Sequence, residues 1–319
     1  MFADDSPAEL PPAEGQGRAH WLAEDHPEDR YYFFEISYEG TNYNGWQYQH
    51  DLPTVQGELN KAIETLTKTK TTVHGAGRTD AGVHAIGQTG SFRTRSTIPL
   101  ERWPKALQSQ LPHDISIRNF AQVPKGFHAS YDAVKKRYRY LLADRRLKAA
   151  YPMLRRFVHR TGYELDVAPM QQAASAVIGT HDFRSFESQW PNKATSERTV
   201  FDCTVSEIPV WSVWQQQKLC VNSAGVLPED RIIAIDIVAD GFLYNMVRTI
   251  AGSLMKIGQR EYSAEWMTEI RDAMDRKQAG PTAPACGLFL VEVSYPQEIH
   301  FEYAEVQTAK KSSDAGEQV

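Results

Sequence analysis

The chain has 319 residues, 41% hydrophobic and 24% charged, which is enough apolar content for one large core or two linked lobes and excludes a mostly disordered polypeptide. Its three cysteines, Cys203, Cys220 and Cys286, make no CxxC pair and the histidines show no zinc spacing, so neither a disulfide framework nor a metal site is expected and a reducing cytoplasm fits. The net charge of −5 is uneven: residues 1–30 carry −6 and 298–319 carry −3, which leaves +4 on 31–297.

In chain order, residues 1–30 are rich in Pro, Ala and Glu and lack a basic flank followed by an apolar run. They read as a disordered acidic arm and not as a secretory signal. YYFFEISYEG alternates, with Tyr32, Phe34, Ile36 and Tyr38 on one face and Glu35, Ser37 and Glu39 on the other, the pattern of a half-buried strand. After the turn-rich GTNYNGW, Thr54 is placed to cap a helix whose stripe is Val55, Leu59, Ile63 and Leu66. TTVHGAG and GVHAIGQTGSF follow as strands on either side of a loop holding Asp80; a short helix over 101–110 leads to a strand over 115–123.

The second half repeats the plan. KKRYRYLLA reads as a strand, 167–178 as a helix, 199–208 and 231–239 as strands, 243–257 as a helix and GLFLVEVSY as a last strand. The expectation is an α+β protein with two lobes, 31–133 and 134–297, each a sheet covered by helices, with a groove between them. Residues 209–230, punctuated by Gly, Pro, Asn and Ser, read as an extended hairpin or loop, and 298–319 as a disordered tail. The most apolar stretch, 231–252, is broken by Asp236, Asp240 and Arg248, too short for a membrane span. From Lys135 to Arg160 ten basic residues face a single acid, Asp144; this run is either a solvated face or a docking surface for a polyanion.

HGAGRTDAGVHAIGQ, residues 74–88, sets Asp80 among glycines two residues after Arg78. A G-x-G-x-x-G phosphate loop is excluded, because Asp80 occupies the third glycine position and would repel a pyrophosphate. Asp80 is then either an Asx-turn residue or a functional carboxylate, and the density of Gly, Arg, Thr, Asp and His favours the second.

These residues resemble a known family. GRTDAGVHA is similar to the signature of the tRNA pseudouridine synthase A family, and eight more segments match in the same order: YEGTNYNGWQ, TVQGELNKAI, LPHDI, FHASYDAVKKRYRY, GTHDFRSF, ERT, GFLYNMVRTIAGSLMKIG and APACGLFLVEVSYP, together spanning 31–296. The resemblance implies a pseudouridine synthase fold of two ferredoxin-like (RRM-like) lobes with mostly antiparallel sheets and an active-site cleft between them. It also implies isomerisation of uridine at positions 38 to 40 of the tRNA anticodon stem-loop, no cofactor and a homodimer. By the same resemblance Asp80 is the catalytic aspartate, Tyr138 packs on the target base, Arg248 pairs with Asp80, Leu288 is the apolar pocket residue and Arg78 displaces the base. Thr249, where the family commonly has asparagine, and Cys286 depart from its pattern.

The chemistry asks for such residues. A carboxylate held against the sugar or the ring divides a difficult exchange into easier steps. Attack at C1′, attack at C6 and abstraction of a sugar proton all remain open. Arg248 lies off the core stripe of its helix, with Tyr244, Ala251 and Gly252, the last two small residues expected to leave room for a groove. Tyr138 offers a stacking face and a possible route for the C5 proton; Lys136, Arg137 and Arg139 beside it are expected to hold phosphates. His84 and His128 read as structural. His181 with Asp182 forms half of a metal-hydrolase pair with no second doublet, and Asp182 reads as a turn or cap residue.

Overall fold

The computed structural model describes Trp21 and residues 25–147, 152–188, 195–210 and 231–304. Lys148, Cys220, most of the acidic arm, the expected hairpin from 211 to 230 and the tail from 305 lie outside the described residues.

Eleven strands among the described residues form one sheet in the order β11-β4-β1-β3-β10-β5-β9-β8-β7, with β2 paired to β3 and β6 to β5. They are β1 (Arg30–Tyr38), β2 (His74–Gly75), β3 (His84–Thr94), β4 (Ile115–Val123), β5 (Lys135–Ala143), β6 (His159–Arg160), β7 (Gly179–Asp182), β8 (Glu197–Pro209), β9 (Arg231–Ala239), β10 (Leu288–Ser294) and β11 (Glu302–Tyr303). Neighbours are antiparallel except β10 with β3 and β5 with β6. The chain is therefore α+β with a large, mostly antiparallel sheet. Where two separate sheets were expected, β10 lies between β3 of the first half and β5 of the second and joins them.

The helices are α1 (Val55–Thr67), α2 (Trp103–Gln108), α3 (Val167–Ala174), α4 (Met246–Gly258) and α5 (Trp266–Ala273). The Thr54 side chain accepts from the Gly57 amide at 3.2 Å, the cap read from the sequence and worth ~1 kcal/mol. Val55, Leu59 and Ile63 of α1, Trp103 and Leu107 of α2, and Ile250 and Leu254 of α4 pack in one cluster with Tyr32, Phe34 and Ile36 of β1 and Ile235 and Ile237 of β9. The period of two then sends Leu141, Phe289 and Val291 to the opposite face, into a second cluster.

Several elements differ from expectation. The helix read over 167–178 gives way to a 3-10 turn at Ser175–Val177, and that read over 243–257 begins only at Met246. Of TTVHGAG only His74 and Gly75 pair. The back face of β1 is covered at Tyr31 and Phe33, which pack with Trp21, Phe127, Tyr295 and Phe301. Trp21 thus anchors the end of the expected disordered arm, and Glu302–Tyr303 of the expected tail pair with β4.

Candidate active site

The loop between β2 and β3 is pinned by main-chain bonds, which fixes where its side chains emerge. The Thr79 carbonyl accepts from the Trp46 amide at 2.9 Å, the Asp80 carbonyl closes a turn by accepting from the Val83 amide at 3.1 Å, and the Gln88 side chain donates to the Gly77 carbonyl at 2.7 Å. The Thr79 hydroxyl meets the Tyr38 hydroxyl at 2.7 Å. Gly45, at φ +88°, lets the preceding loop lie on this one: a Cβ there would stand 2.4 Å from the Thr79 carbonyl oxygen.

The Asx-turn alternative for Asp80 is not realised. Its carboxylate accepts from Arg248 Nη1 at 3.0 Å, across 168 positions of sequence, while its main chain makes the turn. The pair is half-buried, with the Asp80 side chain 24% and that of Arg248 17% exposed. Burial pushes the Asp80 carboxyl above its usual value, and the charge and hydrogen bond of Arg248 pull it back, the desolvation being the larger effect.

Arg248 is held from two further sides. Its Nε donates to the Ala283 carbonyl at 2.7 Å and Nη1 to Asn245 Oδ1 at 2.8 Å. The small residues on its helix do not leave the expected room for a groove. Ala251 and Gly252 are buried, and a Cβ on Gly252 would overlap the Pro281 carbonyl oxygen at 1.8 Å. They admit the 281–283 backbone, which is what brings the Ala283 carbonyl to the guanidinium.

Sheet register places the third residue. Leu290 of β10 is opposite Tyr138 of β5, and Leu290 is also opposite Ala85, just after the Asp80 loop, in β3. Tyr138 is 6% exposed, its ring edge-on to Phe242 at 4.9 Å, and its hydroxyl makes no hydrogen bond with the described residues. Burial, then the neighbouring Tyr38 and Asp80, push its phenol far above the usual range, so it is a neutral hydroxyl. Leu288, buried, starts β10 opposite Tyr140. Arg78 is exposed on the same loop as Asp80.

The basic residues of β5 divide by face. Lys136 shares the Tyr138 face, its Nζ 3.7 Å from where a Cβ on Gly77 would lie. Arg137 and Arg139 point the other way, and their expected phosphate role meets an obstacle. Arg139 is only 2% exposed and donates to both oxygens of Asp236, directly across on β9, at 3.1–3.2 Å. Arg137 Nε donates to the same carboxylate at 3.1 Å.

His84 and His128 are held by main-chain groups, as structural residues are. His84 Nδ1 accepts from the Gly40 amide and its Nε2 meets the Arg156 carbonyl; His128 Nδ1 accepts from the Ser130 amide. Asp182 accepts from the amide and side chain of Arg184, and His181 meets the Ile178 carbonyl, so neither is arranged as a hydrolase ligand. Asn245 was missed by the sequence reading. Its signal was available, an Asn three residues before Arg248 and so one turn away on the same face.

The model of a family described as tRNA pseudouridine synthase matches residues 36–132 and 173–296. A tRNA pseudouridine synthase A of Acetivibrio thermocellus is 43% identical over 260 residues, 82% of this chain and 97% of that protein. One of Moorella thermoacetica is 43% identical over 262 residues with the same coverage, and one of Thermoanaerobacter sp. is 39% identical over 260 residues.

Proposed function

The chain belongs to the tRNA pseudouridine synthase family, and from that premise we propose that it isomerises uridine to pseudouridine in the anticodon stem-loop of tRNA, at positions 38, 39 and 40, using Asp80 as nucleophile and no cofactor. The observation that carries the reading is the half-buried ion pair of Asp80 with Arg248, with Tyr138 near enough to feel the Asp80 charge and Arg78 exposed on the same loop.

The reaction breaks the bond from C1′ to N1, turns the uracil and rejoins it through C5, which gives up its proton while the freed N1 takes one, so that the product is an isomer. Asp80 must be charged to act as nucleophile. Desolvation works against that charge and Arg248 offsets part of it, while the Arg–carboxylate geometry fixes the direction in which the free oxygen points. Everting the base costs a few kcal/mol. Stacking on Tyr138 returns roughly 1–3 kcal/mol, and Arg78 fills the space the base vacates. The neutral Tyr138 hydroxyl, without a protein partner among the described residues, relays the C5 proton.

In this reading residues 31–133 and 134–297 are two ferredoxin-like lobes with the cleft at their junction, and the enzyme is a cytoplasmic homodimer whose Lys136 holds a tRNA phosphate. No helix among the described residues is long and apolar enough to cross a membrane.

Release of tritium from tRNA carrying C5-labelled uridine tests the reading. Wild type releases label and Asp80→Asn releases none while retaining tRNA affinity. A wild-type protein that binds tRNA without release would instead be a silent RNA binder on the same scaffold.

A further inference from the structure

Asn245 begins α4 in an unusual way. It is the residue preceding the helix, where an Asn side chain ordinarily takes an extended backbone and caps an amide of the first turn. Here the backbone is left-handed, φ +63°, and the side chain makes no capping bond to its own helix. The amide is spent elsewhere: Oδ1 accepts from Arg248 Nη1 at 2.8 Å and Nδ2 donates to Ser188 Oγ at 2.8 Å. Ser188 is itself tied to this turn, its amide donating to the Tyr244 carbonyl at 3.1 Å.

The Arg248 nitrogen that meets Asn245 is the one that donates to Asp80. A guanidinium bonded to a single carboxylate can follow that carboxylate when it moves or changes charge. One also fixed through Nε to a main-chain carbonyl and through Nη1 to an amide oxygen keeps its plane. We propose that Asn245, braced by Ser188, is a positioning residue for the isomerisation: it holds the Arg248 guanidinium aimed at Asp80 while the uracil is detached and rejoined. The proposal deepens the isomerase reading and rests on it. It also gives a task to Ser188, two residues beyond the matched segment GTHDFRSF, which that reading leaves without one.

Among the described residues Tyr138 of β5 lies near both Asp80 and Tyr38 of β1, and Cys286, before β10, and Tyr140 of β5 lie near Arg248; all have raised values and are uncharged at neutral pH. Lys136 stands by Gly77, and Arg78 is exposed in the Asp80 loop. The Asn245 side chain bonds Arg248 and Ser188, so its removal frees the Arg248 guanidinium on one side and releases the Ser188 hydroxyl.

Asn245→Gly removes the side chain and keeps a backbone suited to positive φ. In the full-length protein we expect kcat for tritium release to fall about tenfold, KM to stay within about twofold, and the acid limb of the kcat profile to move to higher pH as Asp80 loses a well-aimed counter-charge. Ser188→Ala should move both in the same direction by less, and Asn245→Gly/Ser188→Ala should be no worse than Asn245→Gly, because Ser188 acts through Asn245. A lower yield with an unmoved acid limb would mark a merely structural residue and overturn the proposal, as would a double variant showing the product of the two single losses. If Asn245→Gly does not fold, Ser188→Ala decides by its acid limb alone. A wild-type enzyme that releases no tritium overturns the isomerase reading and this proposal together, whereas an active wild type with an indifferent Asn245→Gly overturns only the second.

Discussion

Replacing Asp236 by alanine tests whether Arg139 belongs to the core or to the RNA surface. The Arg139 side chain is 2% and that of Asp236 5% exposed, and three hydrogen bonds of 3.1–3.2 Å join them across β5 and β9. Removing one member of such a pair leaves a desolvated charge and costs about 3–5 kcal/mol, a large part of the ~5–15 kcal/mol that holds a domain folded. Removing both, as Arg139→Met/Asp236→Leu, abolishes both desolvation penalties and should recover most of that loss. Arg137, which shares the carboxylate at 15% side-chain exposure, is nearer to water and adds less. Urea denaturation gives the stabilities, and tRNA affinity measured over a range of salt gives the number of phosphate contacts. The double variant should bind tRNA with the wild-type salt dependence. A loss of roughly 0.9 from the slope of log K against log salt in a well-folded double variant would show that Arg139 does neutralise a phosphate, and a cost below about 1 kcal/mol for Asp236→Ala would refute the buried-pair argument itself.

Tyr138→Phe removes a hydroxyl that bonds to no described residue, so it should leave stability and KM unchanged and lower kcat; unchanged kcat would leave the ring with stacking alone. Gly45→Ala should cost about 2 kcal/mol or more through its positive φ and the overlap with the Thr79 carbonyl, and should lower activity by displacing Asp80, both visible in thermal unfolding and tritium release. Gly77→Ala is the control: its Cβ would meet nothing closer than Lys136 at 3.7 Å, and thermal unfolding should scarcely change.

Local pattern carried the sequence reading far. The alternation of Tyr32, Phe34 and Ile36, the Thr54 cap and the stripe of α1 all follow from short-range periodicity, and each has its counterpart in the structure. β7 was missed because GTHD is four residues without apolar alternation, and α5 because WMTEIRDA buries only Met267 and Ile270. Joining of the two halves was illegible for another reason. The parallel pairing of β10 with β3 brings together residues some 200 positions apart, which no local pattern encodes. At the site, resemblance drew attention to Asp80 and Arg248, and the structure brings them within 3.0 Å. The RYRY alternation did separate Tyr138 and Tyr140 from Arg137 and Arg139. What it could not reveal was Asp236, about a hundred residues on, waiting on the far face.

The dependence of kcat/KM on pH, in wild type and Arg248→Met, tests most directly whether one carboxylate kept charged by a guanidinium drives the reaction. Asp80 sits above the ordinary aspartate value of 3.8 because burial outweighs Arg248, so activity should rise with pH along a single acid limb lying above that value. Without Arg248 the opposing effect is gone, and the limb should move to still higher pH, with activity regained as the solution becomes more alkaline. An acid limb that stays where it was in Arg248→Met would contradict the account.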